Sequence, residues 1–430
     1  MNILKELEEL TKAQVITPGT ADDIRNYYKQ KGQQSGNRLV VVFGILGAIL
    51  IGLGFILIIA HNWDELSKHA KIGIAYLPLV LAQLLCLFSL IKKSDNTAWR
   101  EASSAFLFFA VGASISLVSQ VYNIQGDLSS FLFLWMILCL PVIYLMRSSA
   151  VSLLYLVGIS YYCCESNYFL SFRRSHIEDY HYWWLLLLAL PHYALLVKNR
   201  PNSNFTVFHN WLIPLSLVVC LGTVAHRHSE LLYITYICMF GLFYLIGTSE
   251  AFSRMKHHVN GYMVFASLGT TQILLTLSFD DFWLRLLERP EKFYLWYRSP
   301  EAVVAYMMAA GATALLIFQN RSRIKDFHPM KVIFLLFILI FAIGVSSPQL
   351  AVVLINLLVL ATGIMVIRHG VRSDHFGILN YGLLTITALI TCRFFDSNIS
   401  FVIRGLLFVL VGFGFFVTNY LMLKKRKQTH

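Results

Sequence analysis

The chain has 430 residues, of which 57% are hydrophobic and only 13% charged, with 32 Phe and 21 Tyr among them. An ordinary soluble domain carries about 25% charged and about 45–50% apolar residues, and a water-soluble globule could not hide this surplus, because a folded surface needs polar cover. The formal charge of +12, from 35 Lys and Arg against 23 Asp and Glu, would suit a nucleic-acid binder in a soluble protein. In a membrane protein the same excess has another origin, since cytoplasmic loops collect Lys and Arg.

In chain order the first element is polar. Residues 1–38 read as a cytoplasmic helical hairpin and tether. Ile3, Leu4, Leu7, Leu10 and Val15 fall near one helical face, Thr17-Pro18-Gly19-Thr20 breaks that helix, and Thr20 starts a second with Asp23 in a capping-box-like position. The segment is expected to serve as a structural cap on the bundle or as a helix lying at the membrane surface, with a docking element for a partner as the sharper alternative. It has no early apolar core, so the first span is expected to act as an uncleaved anchor.

Apolar blocks then follow between polar punctuation, at roughly 39–60, 72–91, 103–122, 131–146, 148–164, 183–197, 205–225, 231–248, 259–279, 302–318, 331–346, 350–367, 376–392 and 401–423. About 20 apolar residues cross a bilayer as a helix. The expected fold is therefore all-α, a polytopic transmembrane helix bundle of about fourteen spans. Residues 39–147 form an N-terminal transmembrane unit of four spans, 148–423 a C-terminal unit of ten, and 424–430 a basic cytoplasmic tail.

An even count leaves both termini on one side. That side holds 24 basic and 10 acidic residues, a net charge of +14; the other holds 11 basic and 13 acidic, a net charge of −2. The positive-inside rule makes the first side cytoplasmic. Topology alone then accounts for the charge, and no nucleic-acid partner is expected.

Within the first span Gly44, Ala48 and Gly52 recur every four residues, a small-residue face for close helix packing. The middles of the spans carry essentially no Asp, Glu, Lys or Arg, which disfavours proton-coupled pumping. Gln83, Gln120, His192, Gln272, Asn356 and Asn380 read as interhelical hydrogen-bonding groups. The seven cysteines lie within spans or at their ends and form no CxxC pair, so no metal site and no cofactor is expected. No phosphate loop, HExxH or GxSxG motif is present.

Three stretches carry a resemblance. Leu7-Glu8-Glu9-Leu10 through Val15-Ile16-Thr17-Pro18, the Gly-rich first span running into His61-Asn62-Trp63-Asp64-Glu65, and Val121-Tyr122-Asn123-Ile124-Gln125-Gly126-Asp127 followed by Leu134-Trp135 resemble the domain-of-unknown-function 2157 family of predicted bacterial integral membrane proteins. The resemblance covers about residues 6–147. It implies a multi-pass protein of the bacterial cytoplasmic membrane and is silent on chemistry.

Segments assigned to the outer face mix arginines, carboxylates and aromatics. Trp63, Asp64, Asp127, Arg174, Asp281, Arg285 and Arg289 are the candidate substrate-binding residues. Arginine forks grip phosphate, carboxylates move protons, and flat rings pack on apolar ligand faces. Interfacial aromatic belts and loop-stitching ion pairs draw on the same residue types. The expected function is binding or translocation of a lipid-like or amphipathic substrate by a non-enzymatic membrane protein. The alternatives are a transferase or ligase acting on a lipid-linked glycan, and a membrane scaffold or sensor.

Overall fold

The computed structural model describes residues 67–169, 180–224, 230–253, 255, 259–287, 299–320 and 329–394, with further positions scattered through 7–25, 40–57 and 400–420. Among these the chain is all-helical, 88% helix with no strand. Its contacts divide it into two compact units, residues 1–199 and 200–430.

The first unit contains α1 (Lys68–Lys92), α2 (Thr97–Val121), α3 (Leu128–Leu145), α4 (Ser149–Cys164) and α5 (His181–Asn199). The second contains α6 (Asn204–Leu221), α7 (Leu231–Gly247), α8 (Gly261–Thr276), α9 (Asp281–Leu287), α10 (Pro300–Asn320), α11 (Ile333–Ser346), α12 (Pro348–Arg372) and α13 (Phe376–Phe394). All but α9 coincide with the apolar blocks expected between 72 and 392. Seven helices among the described residues are long and apolar enough to cross a membrane: α1, α2, α3, α6 with its extension to Val224, α10, α12 and α13.

Polar residues start these helices. The side chains of Ser67, Asn96, Asp127, Ser148, Ser203 and Asn260 each accept a backbone N–H from the first turn, meeting donors that the helix leaves unpaired. Asn123, Arg147 and Asp374 adopt left-handed φ of 51°, 47° and 51° just past helix C-termini. In the N-terminal segment residues 18–25 are helical and Thr17, not Thr20, is the cap: its Oγ1 accepts the Thr20 N–H at 3.2 Å. The break between the two helices falls at residues 13 and 15–17, and Pro18 opens the second helix, because a first-turn position needs no N–H and proline presets φ.

In the first unit neighbouring helices run antiparallel. Ser114 Oγ donates to the Ala75 carbonyl at 2.7 Å, while Phe88 and Trp99 meet edge-on at the other end of the α1–α2 pair. Trp135 Nε1 of α3 donates to the Phe108 carbonyl of α2 at 2.8 Å. The indole lies flat over Gly112, where a Cβ would come within 2.6 Å of Trp135 Cε2. Gly44 is also at a contact, since a Cβ there would meet Ala102 Cβ at 3.7 Å; Ala48 and Gly52 lie outside the described residues. In the second unit the α12–α13 hairpin closes on Gly363 and Gly382, where a Cβ would come within 2.6 Å of Ile386 Cγ1 and 2.8 Å of Ile367 Cγ1, respectively.

Small and polar side chains share the interior with large ones such as Trp283, Tyr155 and Phe337, while other large apolar side chains stand exposed. The buried face of α2 is built from Glu101, Ser103, Ser104, Ala105, Gly112 and Ser114 among others, whereas Leu77, Leu145, Phe318 and Val402 stand exposed at 60%, 71%, 77% and 83%. Helices in lipid associate through small and polar residues and turn their large apolar side chains outward.

The packing at Gly112 gives a direct expectation. Gly112→Val forces its branched side chain into the Trp135 ring and should destabilise by about 1–3 kcal/mol, as overpacking does. At Gly73 of α1 a Cβ would meet nothing within 4 Å, so Gly73→Ala should gain up to about 1 kcal/mol of helix propensity. Thermal unfolding in detergent compares the two.

Candidate functional site

The second unit contains a cavity of about 660 Å³ between α6, α7, α8 and α9, lined by Val218, Leu232, Tyr233, Tyr236, Phe240, Gly269, Ile273 and Phe282 with three polar side chains, Glu230, Gln272 and Arg285. The short helix α9 sets its rim. Trp283 is fully buried and its Nε1 donates to the Leu277 carbonyl at 2.8 Å, pinning α9 against Phe341. Phe282 and Arg285, three residues apart on one face, line the cavity, Phe282 half-buried and Arg285 exposed at its mouth, while Asp281 and Leu284 are exposed and do not line it. Arg285 Nε donates to the Asp281 carbonyl at 3.1 Å. On the facing wall Tyr233 meets Phe282 edge-on at 4.8 Å, and Tyr236 donates its hydroxyl to the Val218 carbonyl at 2.8 Å. Apolar and aromatic walls with a few convergent polar groups are the usual make-up of a small-molecule site.

Glu230 is not among the residues that composition and patterning single out. It sits in a short connection, and only the tertiary packing brings it to the same cavity as Arg285. Asp281, an expected site residue, is exposed and does not line the cavity. It starts α9, where a carboxylate is favoured by the helix dipole. Asp127 is the α3 cap, with Oδ1 accepting the Ser130 N–H at 2.8 Å. Trp63, Asp64, Arg174 and Arg289 lie outside the described residues.

A second polar assembly is buried in the first unit. The Glu101 side chain, 1% exposed, reaches from α2 to the N-terminus of α4. Oε1 accepts the Ser149 N–H at 3.1 Å; Oε2 accepts the Ala150 N–H at 2.9 Å and the Ser148 hydroxyl at 2.5 Å. Ser148 Oγ in turn accepts the Val151 N–H at 3.2 Å. The carboxylate thus fills the anion site that a helix N-terminus provides. Ser149 Oγ lies 3.4 Å from His192 Nε2. That is longer than the ~2.6–3.2 Å of a nucleophile and its base, and the amides that would stabilise an oxyanion are already held by Glu101. The assembly is a structural cap between helices rather than a hydrolytic centre. By sequence Glu101 falls just ahead of an apolar block; helix α2 begins earlier and carries it inside.

Among the described residues no group of three or more His, Cys, Asp or Glu is placed to hold a metal ion. Cys86, Cys139, Cys163, Cys220 and Cys238 are buried, and Cys164 and Cys392 partly so.

Residues 8–152 match a family model described as predicted membrane protein (DUF2157). The match takes in nearly all of the three stretches that carry the resemblance, together with Glu101 and its partners Ser148, Ser149 and Ala150. The cavity lies beyond it. No curated protein and no solved structure matches the chain. The matched segment and the apolar helices that follow make this an integral membrane protein.

The cap predicts a stability effect. Glu101→Gln keeps the shape but swaps one acceptor oxygen for a donor facing N–H and O–H groups. It should cost about 2–3 kcal/mol, the penalty for leaving buried polar groups unmatched. Exposed Asp95→Asn should stay within about 0.5 kcal/mol of wild type. Unfolding midpoints in detergent test the difference.

Proposed function

We propose that the chain binds or translocates a lipid-like or amphipathic molecule, with the α6–α9 cavity as its seat. The observation that carries this reading is the composition of that cavity, whose aromatic and aliphatic walls suit an acyl or polyprenyl portion while Glu230, Gln272 and Arg285 suit a polar head. Arg285 is the one expected site residue with a described place there; Trp63, Asp64, Asp127, Arg174, Asp281 and Arg289 stay proposed as further substrate contacts of the outer face.

The proposed setting is a fourteen-span bundle in the bacterial cytoplasmic membrane with both termini cytoplasmic. Its support is the way contacts pair segments that the charge count assigns to the same face. In the first unit Glu101 meets Ser148 and Ser149 on the cytoplasmic side, whereas Lys68 stacks over Tyr122 and Ser129 meets Ser166 on the outer side. In the second, Gln319 Nε2 donates to the Leu245 carbonyl on the cytoplasmic side, and Arg393 reaches Ser278 on the outer side. Within each unit these pairs agree with the alternation that the charge count assigns.

Two measurements test this. In a cysteine-free background a membrane-impermeant maleimide should label Asp127→Cys and Asp281→Cys in intact cells, and Lys93→Cys and Asp374→Cys only after permeabilisation; uniform behaviour of the four would remove the topology. Native mass spectrometry of the purified protein should show retained lipid. Ile273→Trp, which fills the cavity, should cut retention about tenfold or more, the equivalent of about 1.4 kcal/mol, while exposed Arg372→Ala behaves as wild type. Wild-type protein that holds no lipid would sink the reading.

A further inference from the structure

The cavity presents two opposite charges that do not neutralise each other. Glu230 and Arg285 line the same space, yet among the described residues no ion pair joins them or engages either one. Glu230 occupies the N-cap position of α7 without making a capping hydrogen bond, so its carboxylate is not spent on the helix end. The one described hydrogen bond from the Arg285 side chain is from Nε to the Asp281 carbonyl, which orients the guanidinium and leaves its two terminal nitrogens for a ligand. Tyr233, one turn on from Glu230 and therefore on the same helical face, packs its ring edge-on with Phe282.

We infer that the cavity recognises a zwitterionic phospholipid headgroup, a phosphodiester carrying an ammonium group; the inference rests on the lipid-binding reading above. The guanidinium of Arg285 takes the phosphate oxygens through two parallel N–H bonds. The ammonium lies against the Glu230 carboxylate, with the Tyr233 and Phe282 rings supplying the aromatic surface that cations favour. Gln272 adds a neutral donor and acceptor for the ester or glycerol oxygens. The volume of about 660 Å³ accommodates a headgroup and the first part of the acyl chains. An anionic headgroup without an ammonium would satisfy Arg285 but leave the carboxylate of Glu230 unmatched and repulsive. Specificity then comes from the penalty against the wrong lipid as much as from attraction to the right one.

The test uses the purified full-length protein, stripped of lipid in detergent, with native mass spectrometry as the readout. Four lipids of identical acyl chains are titrated: phosphatidylethanolamine, phosphatidylcholine, phosphatidylglycerol and diacylglycerol. Both ammonium lipids should bind about tenfold more tightly than phosphatidylglycerol, the size of one charge-assisted interaction. Glu230→Gln should shrink that preference to about twofold or less, and Arg285→Gln should weaken all three phospholipids about tenfold. A primary-ammonium site favours phosphatidylethanolamine and an aromatic-cage site phosphatidylcholine, and either result supports the inference. Equal affinity for phosphatidylglycerol in wild type, a preference that survives Glu230→Gln, or diacylglycerol binding as tightly as the phospholipids would overturn the headgroup assignment while leaving the cavity a lipid site. Absence of binding by all four would overturn the lipid reading itself.

Discussion

In hydrocarbon no solvent completes a hydrogen bond, so a polar group buried in this chain is costly unless the chain itself meets it. The all-helical backbone is the first consequence. The second is the behaviour of side chains within helices. Thr235, Thr362, Thr385 and Ser160 each donate to the carbonyl four residues earlier, at 3.1, 2.6, 2.9 and 2.6 Å. The third is Glu101, the most demanding of these groups, which is tolerated inside because Ser148, Ser149 and Ala150 all donate to it from the start of α4. The same bonds join α2 to α4 and fix the tight turn between α3 and α4.

The two polar features differ in how completely they are satisfied. Around Glu101 the groups saturate one another, and a saturated network stiffens a core without offering anything to a ligand. At the α6–α9 cavity the charged side chains face open space, and packing elsewhere keeps them there. Trp283 anchors α9 through its buried ring and the bond to Leu277, and Gly269 gives the Phe240 ring room in the cavity wall. A rigid aromatic frame holding underused polar groups is the arrangement expected of a binding site rather than of a structural cap.

Hydrophobic block length locates the helices well, from Lys68–Lys92 to Phe376–Phe394, because a membrane helix needs a long apolar run whatever its neighbours are. Caps are less legible. The Thr17-Pro18-Gly19-Thr20 stretch reads as a break with Thr20 as the next cap, whereas the break falls a few residues earlier and Thr17 caps a helix that Pro18 starts, since proline stops a helix only from its second turn onward. Asp127 reads as a ligand residue and also caps α3. Its pattern, a lone acid ahead of an apolar run, is common to both roles, and the bond to Ser130 shows the capping one.

Membrane class, helical fold and the segments available to cross a bilayer were determined by the sequence alone, because each follows from local composition and the fixed rise of a helix. The expected charge asymmetry between the two faces likewise rests on the sequence. What only the tertiary structure decided is which polar residues share a space. Glu230 and Arg285 are 55 positions apart and line one cavity through the packing of α7 and its neighbours; Glu101 and Ser148 meet through that of α2 and α4. Partnership between distant side chains is a property of helix contacts, and a chain that is apolar almost throughout carries little local signal of which helix faces which.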